Sequence, residues 1–174
     1  GQKWSLQANY LGTWSDYLIT PAATQPNLLQ YNDASTFNAN FRISGTYQAP
    51  WGLTITPIYR FQLGQPLQQV VPINGLRQGT LTLPLGPIDE FRTQNISLFD
   101  IRIEKYITFK EKYKVGLFFD AFNILNNNAD QTQDPTIGTK TTTVAGQLET
   151  YQRFLSAETI TPPRIFRVGA KFTF

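Results

Sequence analysis

Eight charged side chains define the chemistry open to this chain: Arg42, Arg60, Asp100, Arg102, Glu104, Asp120, Arg167 and Lys171. Each sits at an alternate position in a run whose intervening residues are mostly apolar, the spacing of one face of a β-strand. Guanidinium and carboxylate groups on one face can pair across strands, solvate a wet surface, or contact a ligand or a packed partner. Nucleophilic or metal-based catalysis fits poorly, because the chain has no Cys and no His. Ser, Thr and acidic residues are plentiful, but no imidazole is present to activate them. The chain therefore reads as no enzyme and as needing no cofactor. Residues 126–134 carry Asn126, Asn127, Asn128, Asp130 and Asp134, oxygen ligands suited to a hard cation. They lack any recognised ligand spacing, so a turn-rich loop without metal is the simpler reading. Asn95-Ile96-Ser97 matches a glycosylation sequon but falls in a predicted strand and is set aside. The net charge of +3 is small and scattered, which argues against nucleic acid as a partner.

Six amphipathic segments would position these charges: residues 3–14, 37–47, 53–63, 96–109, 113–123 and 164–174. In the first, Trp4, Leu6, Ala8, Tyr10, Gly12 and Trp14 share a face opposite Lys3, Ser5, Gln7 and Asn9. A tilted strand climbs roughly 25 Å between Trp4 and Trp14, about the height of the apolar band of a membrane barrel. With Tyr47 and Trp51, these tryptophans form an expected aromatic girdle; in a soluble fold they would be core residues instead. Pro57 interrupts the third segment and predicts a bulge or irregularity. Lys105 breaks the apolar face of the fourth, close to a short turn where its stem can snorkel. If Phe109 closes against Tyr113, Arg102 falls directly across from Asp120.

The connections alternate in length: long (19–36), short (49–52), long (64–93), short (110–112), long (126–158). Long polar loops at one end and tight turns at the other are the asymmetry of an outer-membrane barrel, with extracellular loops and periplasmic turns. Six up-and-down strands also place both ends of the chain on the turn side. No apolar run reaches the length of a spanning helix, and mean hydropathy is −0.27; a barrel escapes that test because its hydrophobicity alternates. The expected fold is all-β, an antiparallel up-and-down transmembrane β-barrel. Six strands are too few to close one, since the smallest need about eight. An open edge in hydrocarbon costs several kcal/mol per backbone group. Residues 1–174 are thus expected to be the C-terminal part of a larger barrel. The opening on Gly1, without Met or a signal peptide, agrees.

The chain ends Arg167-Val168-Gly169-Ala170-Lys171-Phe172-Thr173-Phe174, alternating to its last residue. This octet resembles the C-terminal assembly signal of bacterial outer-membrane barrels, on which Arg167, Gly169, Phe172 and Phe174 are the matching positions. Three further stretches resemble the closing strands of TonB-dependent outer-membrane receptors. They are Ser97-Leu98-Phe99-Asp100-Ile101-Arg102-Ile103-Glu104-Lys105, Gly116-Leu117-Phe118-Phe119-Asp120-Ala121-Phe122-Asn123-Ile124-Leu125-Asn126 and Pro163-Arg164-Ile165-Phe166-Arg167-Val168-Gly169-Ala170-Lys171-Phe172. The resemblance is to the large Oar-like type with a carboxypeptidase-regulatory-like N-terminal domain. Tyr59-Arg60-Phe61-Gln62-Leu63-Gly64-Gln65-Pro66 is similar to that group's aromatic-Arg…Ser-Gly-x-Pro stretch, with Leu63 where Ser is usual. The likeness covers most of residues 37–174 and fades in the long loops. It implies a roughly 22-stranded barrel with an N-terminal plug that imports a scarce nutrient, powered by TonB. Implied partners are outer-membrane lipid, the remaining barrel and plug, TonB through the N-terminal part, and the barrel-assembly machinery. Neither plug nor TonB-contacting segment lies in this sequence, and the substrate has no readable code. The competing reading is a structural or adhesive outer-membrane barrel that anchors surface loops. A plug and TonB-contacting segment encoded upstream of Gly1 would favour transport.

Overall fold

The computed structural model describes residues 3–17, 34–77, 79–109, 113–144 and 146–173. Among them the chain is all-β, without an α-helix. In chain order the strands are β1 (Trp4–Tyr17), β2 (Ala34–Ala49), β3 (Leu53–Gln62), β4 (Pro66–Leu67), β5 (Val70–Leu76), β6 (Gly79–Pro84) and β7 (Phe91–Arg92). There follow β8 (Ile96–Phe109), β9 (Tyr113–Phe122), β10 (Asp130–Gln133), β11 (Thr139–Val144), β12 (Gln147–Gln152), β13 (Ala157–Ile160) and β14 (Ile165–Thr173). Six of them form one antiparallel sheet in the order β1-β2-β3-β8-β9-β14. These are the six amphipathic segments, and apart from the loop insertions each pairs with its neighbour in sequence. β1 and β14 are the edges, each paired on one side among the described residues.

The β2–β3 connection and the facing strand ends Phe109 and Tyr113 lie at one end of this sheet. A single 3-10 turn, Pro50–Gly52, joins β2 to β3, with Trp51 held at φ 63° and Gly52 at φ 72°. The expected turn at 110–112 lies outside the described residues, as do residues 18–33 and Phe174. Trp4 faces Tyr47 and Lys114 faces Thr173 at this same end.

Two expectations need correction. The first long connection reaches only to residue 33, because residues 34–36 already pair with residues 15–17 of β1. The other two long connections are not plain loops: the second carries β4–β7 and the third β10–β13, as four small two-stranded sheets. These strands are mostly two to six residues long; β10, β11 and β12 are polar and Thr- or Gln-rich without apolar alternation, and the apolar β5 is interrupted by Pro72 and Gly75. At Pro57 the expectation is met as a local irregularity and not as a bulge. Pro57 faces Ile101 within an unbroken β3–β8 register, and on the β2 side only the pairs at residues 45 and 46 are lost before pairing resumes unshifted. A proline removes one donor without inserting a residue, so the ladder thins but does not slip.

Apart from Lys105, which lies on the apolar face opposite Leu53 and Leu117, the register sorts the strand side chains into two faces. One face carries Trp4, Leu6, Tyr10 and Trp14 of β1, Phe41 and Ile43 of β2, Tyr59 of β3, Phe99, Ile101 and Ile103 of β8, Phe119 of β9, and Val168 and Phe172 of β14. Among the described residues nothing is packed over it. Trp14 is 76% exposed and Val168 79%, and only Ala121 and Ala129 are fully buried apolar residues among those described. A soluble domain of this size normally buries about two-thirds of its unfolded surface around an apolar core. The opposite face carries the charges.

Candidate functional site

The charged face is organised around two buried carboxylates. Asp120 of β9 is 3% exposed and lies directly across from Arg102 on β8 and Arg167 on β14. The expected closure of Phe109 on Tyr113 is the observed one, and with it the Arg102–Asp120 pairing. Arg102 Nε reaches Asp120 Oδ1 at 3.2 Å. Arg167 donates from Nε and Nη2 to Oδ2 at 2.9 and 2.6 Å. Both guanidinium groups also lie over the Phe118 ring, 4.8 and 5.9 Å from its centroid, and Arg167 lies 5.3 Å from that of Phe122. The aromatic faces favour the cations and fix their planes. Three adjacent strands are thereby tied across one row.

Asp100 is the second centre. Its Oδ2 accepts from Arg60 Nη2 at 2.7 Å, and its Oδ1 accepts from the Asn123 backbone N–H at 2.8 Å. The Arg60–Asp100 contact is diagonal, since Arg60 directly faces Leu98. Asn123, at φ 49°, closes β9 and is nearly fully buried. Its side-chain amide donates to Asn127 O and Pro162 O at 2.9 and 2.8 Å, while its oxygen accepts from Asn127 N–H at 2.9 Å. Thr161 Oγ1 adds a bond to Asn127 O at 2.7 Å. This clasp fixes the foot of the third long connection to the sheet.

Two glycines make room for aromatic rings on the same face. Gly116 faces Tyr106, and Gly169 faces Phe118. A Cβ at Gly116 would stand 2.9 Å from the Tyr106 ring, and one at Gly169 would overlap the Phe118 ring. Large rings lying over cross-strand glycines are a known way to pin register in curved sheets. Gly169 was expected only as part of the terminal signal; its ring partner was unforeseen, because the octet does not contain Phe118.

The remaining residues are dispersed. Glu104 accepts from Tyr106 Oη at 2.7 Å. Lys171 lies opposite Gly116 near the turn end. Arg42 faces Arg60 and, among the described residues, makes no ion pair. Of the expected girdle, Trp4, Tyr47 and Trp51 gather at the turn end, while Trp14 packs on Phe37 at 4.6 Å near the loop end. Phe172 stacks on Tyr113, centroids 6.1 Å apart.

The two long connections after β3 and β9 meet each other. Val70 N–H donates to Pro135 O at 3.0 Å, Ile137 N–H to Val70 O at 2.8 Å, and Phe91 meets Phe154 edge-on at 4.9 Å. Asp134 anchors the join, with Oδ1 accepting from Thr136 N–H at 2.9 Å and Oδ2 from Arg153 Nε at 3.0 Å. Burial works against its ionisation, but the Thr136 hydrogen bonds and Arg153 outweigh burial and hold its carboxyl below the ordinary aspartate range. In this arrangement the Asn126–Asp134 stretch serves as a clasp and an anchor. No catalytic constellation is assembled among the described residues; what the face offers is charge, hydrogen-bond donors and a firm scaffold. The chain matches no family model, no curated protein and no solved structure.

Proposed function

We propose that this chain is the C-terminal wall of an outer-membrane TonB-dependent transport barrel, with its long connections outside the cell and Thr173 at the periplasmic end. The observation that carries this reading is the uncovered apolar face. A six-stranded sheet that leaves Trp4, Leu6, Tyr10, Trp14, Phe166 and Val168 in the open suits a hydrocarbon environment, with the charged face toward a wet lumen. Strand lengths of nine to sixteen residues meet the nine to eleven needed to cross a bilayer at a tilt. The free sides of β1 and β14 would pair with further barrel strands, since a lipid-exposed edge is not tolerated. On this reading Arg167, Gly169 and Phe172, with Phe174, form the strand read by the assembly machinery. On this reading the plug, and the segment that contacts the separate TonB protein, would be N-terminal to these strands.

A structural or adhesive barrel is the second reading. It is favoured by the joined loop strands, which build a folded outer surface where many barrels carry open loops. One experiment separates the possibilities. The full-length protein is followed in membrane fractions of its host, by heat-modifiable migration, and in a strain lacking TonB. Outer-membrane location with a TonB-dependent nutrient requirement supports transport. Outer-membrane location with unchanged uptake and altered surface attachment on deletion supports the second reading. A soluble product sinks both.

A further inference from the structure

Two adjacent rows cross four strands at the loop end of the charged face. One row is Asn9, Arg42, Arg60 and Leu98; the next is Leu11, Asn40, Gln62 and Ile96. Together they line a depression of about 280 Å³. We propose that this depression binds a monocarboxylate with an apolar body, a ligand class that goes beyond the transport reading.

The case begins with charge. Arg42 and Arg60 are direct cross-strand partners, and like charges so placed repel. Arg60 is neutralised by Asp100 at 2.7 Å, whereas Arg42 has no acidic partner or side-chain hydrogen bond among the described residues. Arg102 and Arg167 differ, being held on Asp120 and the Phe118 ring. One positive charge is therefore left over, at a point where a second guanidinium still has free N–H donors, since Asp100 occupies only one of its five. A planar carboxylate matches the guanidinium fork. The side-chain amides of Asn9, Asn40 and Gln62 surround the pair and can donate to the same oxygens or accept from a polar group beside them. Leu11 at one end and Ile96 and Leu98 at the other supply apolar walls that a bare phosphate dianion would leave unused. A single surplus charge with apolar flanks selects a monoanion that carries hydrocarbon.

The test uses the purified full-length protein, titrated with benzoate, with neutral benzamide of the same shape, and with inorganic phosphate. Calorimetry is expected to give saturable benzoate binding, with benzamide and phosphate at least tenfold weaker. Arg42→Gln is expected to weaken benzoate at least tenfold while leaving benzamide unchanged. Arg42→Lys, which keeps the charge but loses the fork, should fall between, and it also reads the site if the glutamine variant folds poorly. Lys140→Gln, on the exposed β11 strand, should change nothing. Equal affinity for benzoate and benzamide, absence of benzoate binding, or indifference to Arg42→Gln would each overturn the proposal. Binding to purified protein needs neither uptake nor TonB, so this result stands apart from that of the transport experiment.

Discussion

Asp120 and Gly169 show how individual residues hold this sheet together. Asp120 is buried between two arginines that are each about half exposed, at 44% and 58%. Losing either arginine leaves the carboxylate one partner, and a half-exposed ion pair contributes only about 0.2–1 kcal/mol. Losing the carboxylate leaves two guanidinium groups facing one another without compensation. Asp120→Asn should therefore cost about 2–3 kcal/mol, more than Arg102→Gln or Arg167→Gln, in urea unfolding of the purified protein. Equal losses from all three would show that Asp120 is not the centre of the row. Gly169 is required for a different reason: the Phe118 ring occupies the place of its missing side chain. Gly169→Ala should destabilise by about 1–3 kcal/mol through overpacking. In the Phe118→Ala background the same substitution should cost almost nothing, because the obstructing ring is gone. If the two losses simply add, the glycine serves something other than this contact.

At the scale of elements, alternation made the six long strands legible, and a short turn made one register legible. Phe109 and Tyr113 face each other across a brief connection, so Arg102 could be placed on Asp120 by counting. The Arg60–Asp100 pair escaped that count because β3 and β8 are separated by a connection of over thirty residues, which leaves their register unfixed by any turn. Arg60 also reaches its partner diagonally. The β11–β12 pair was invisible for a related reason: Thr139–Val144 pairs with Gln147–Gln152 largely through backbone bonds and Thr–Thr contacts such as Thr141 to Thr150 at 2.8 Å. Polar strands with two wet faces carry no hydrophobic period. The join between these loops has its own pH signature. Asp134 has a lowered pKa in the folded protein, so its contribution to stability is fully present above the ordinary aspartate pKa and is lost as pH falls through the folded value. The protection of the Leu155 and Ile137 amides, which bond to Asp134 O and Val70 O, against hydrogen exchange, taken relative to the intrinsic rate at each pH, should fall on acidification below about pH 4. The sheet amides of β8 and β9 should change less. Asp134→Asn should abolish the acid-dependent part of the difference; an unaltered pH profile in that variant would remove Asp134 from the account.

For the molecule as a whole, the decisive quantity is the environment of the apolar face, and Val168 reads it directly. Val168 lies on edge strand β14, facing Phe119, with 79% of its surface exposed. In a water-soluble sheet, exchanging so exposed a residue for arginine is close to neutral, within about 0.5 kcal/mol. In a bilayer the same arginine meets hydrocarbon, at a cost of about 2–4 kcal/mol near the midplane. Ser44 supplies the internal comparison, because it lies on the charged face in the row of Gln7 and Ile58. On a wet lumen, Ser44→Arg should be tolerated. On the barrel reading, stability against unfolding in lipid vesicles and the folded fraction in outer membranes should therefore fall for Val168→Arg and hold for Ser44→Arg. The opposite ranking, or no difference between them, would mean that the apolar face meets water or another protein surface.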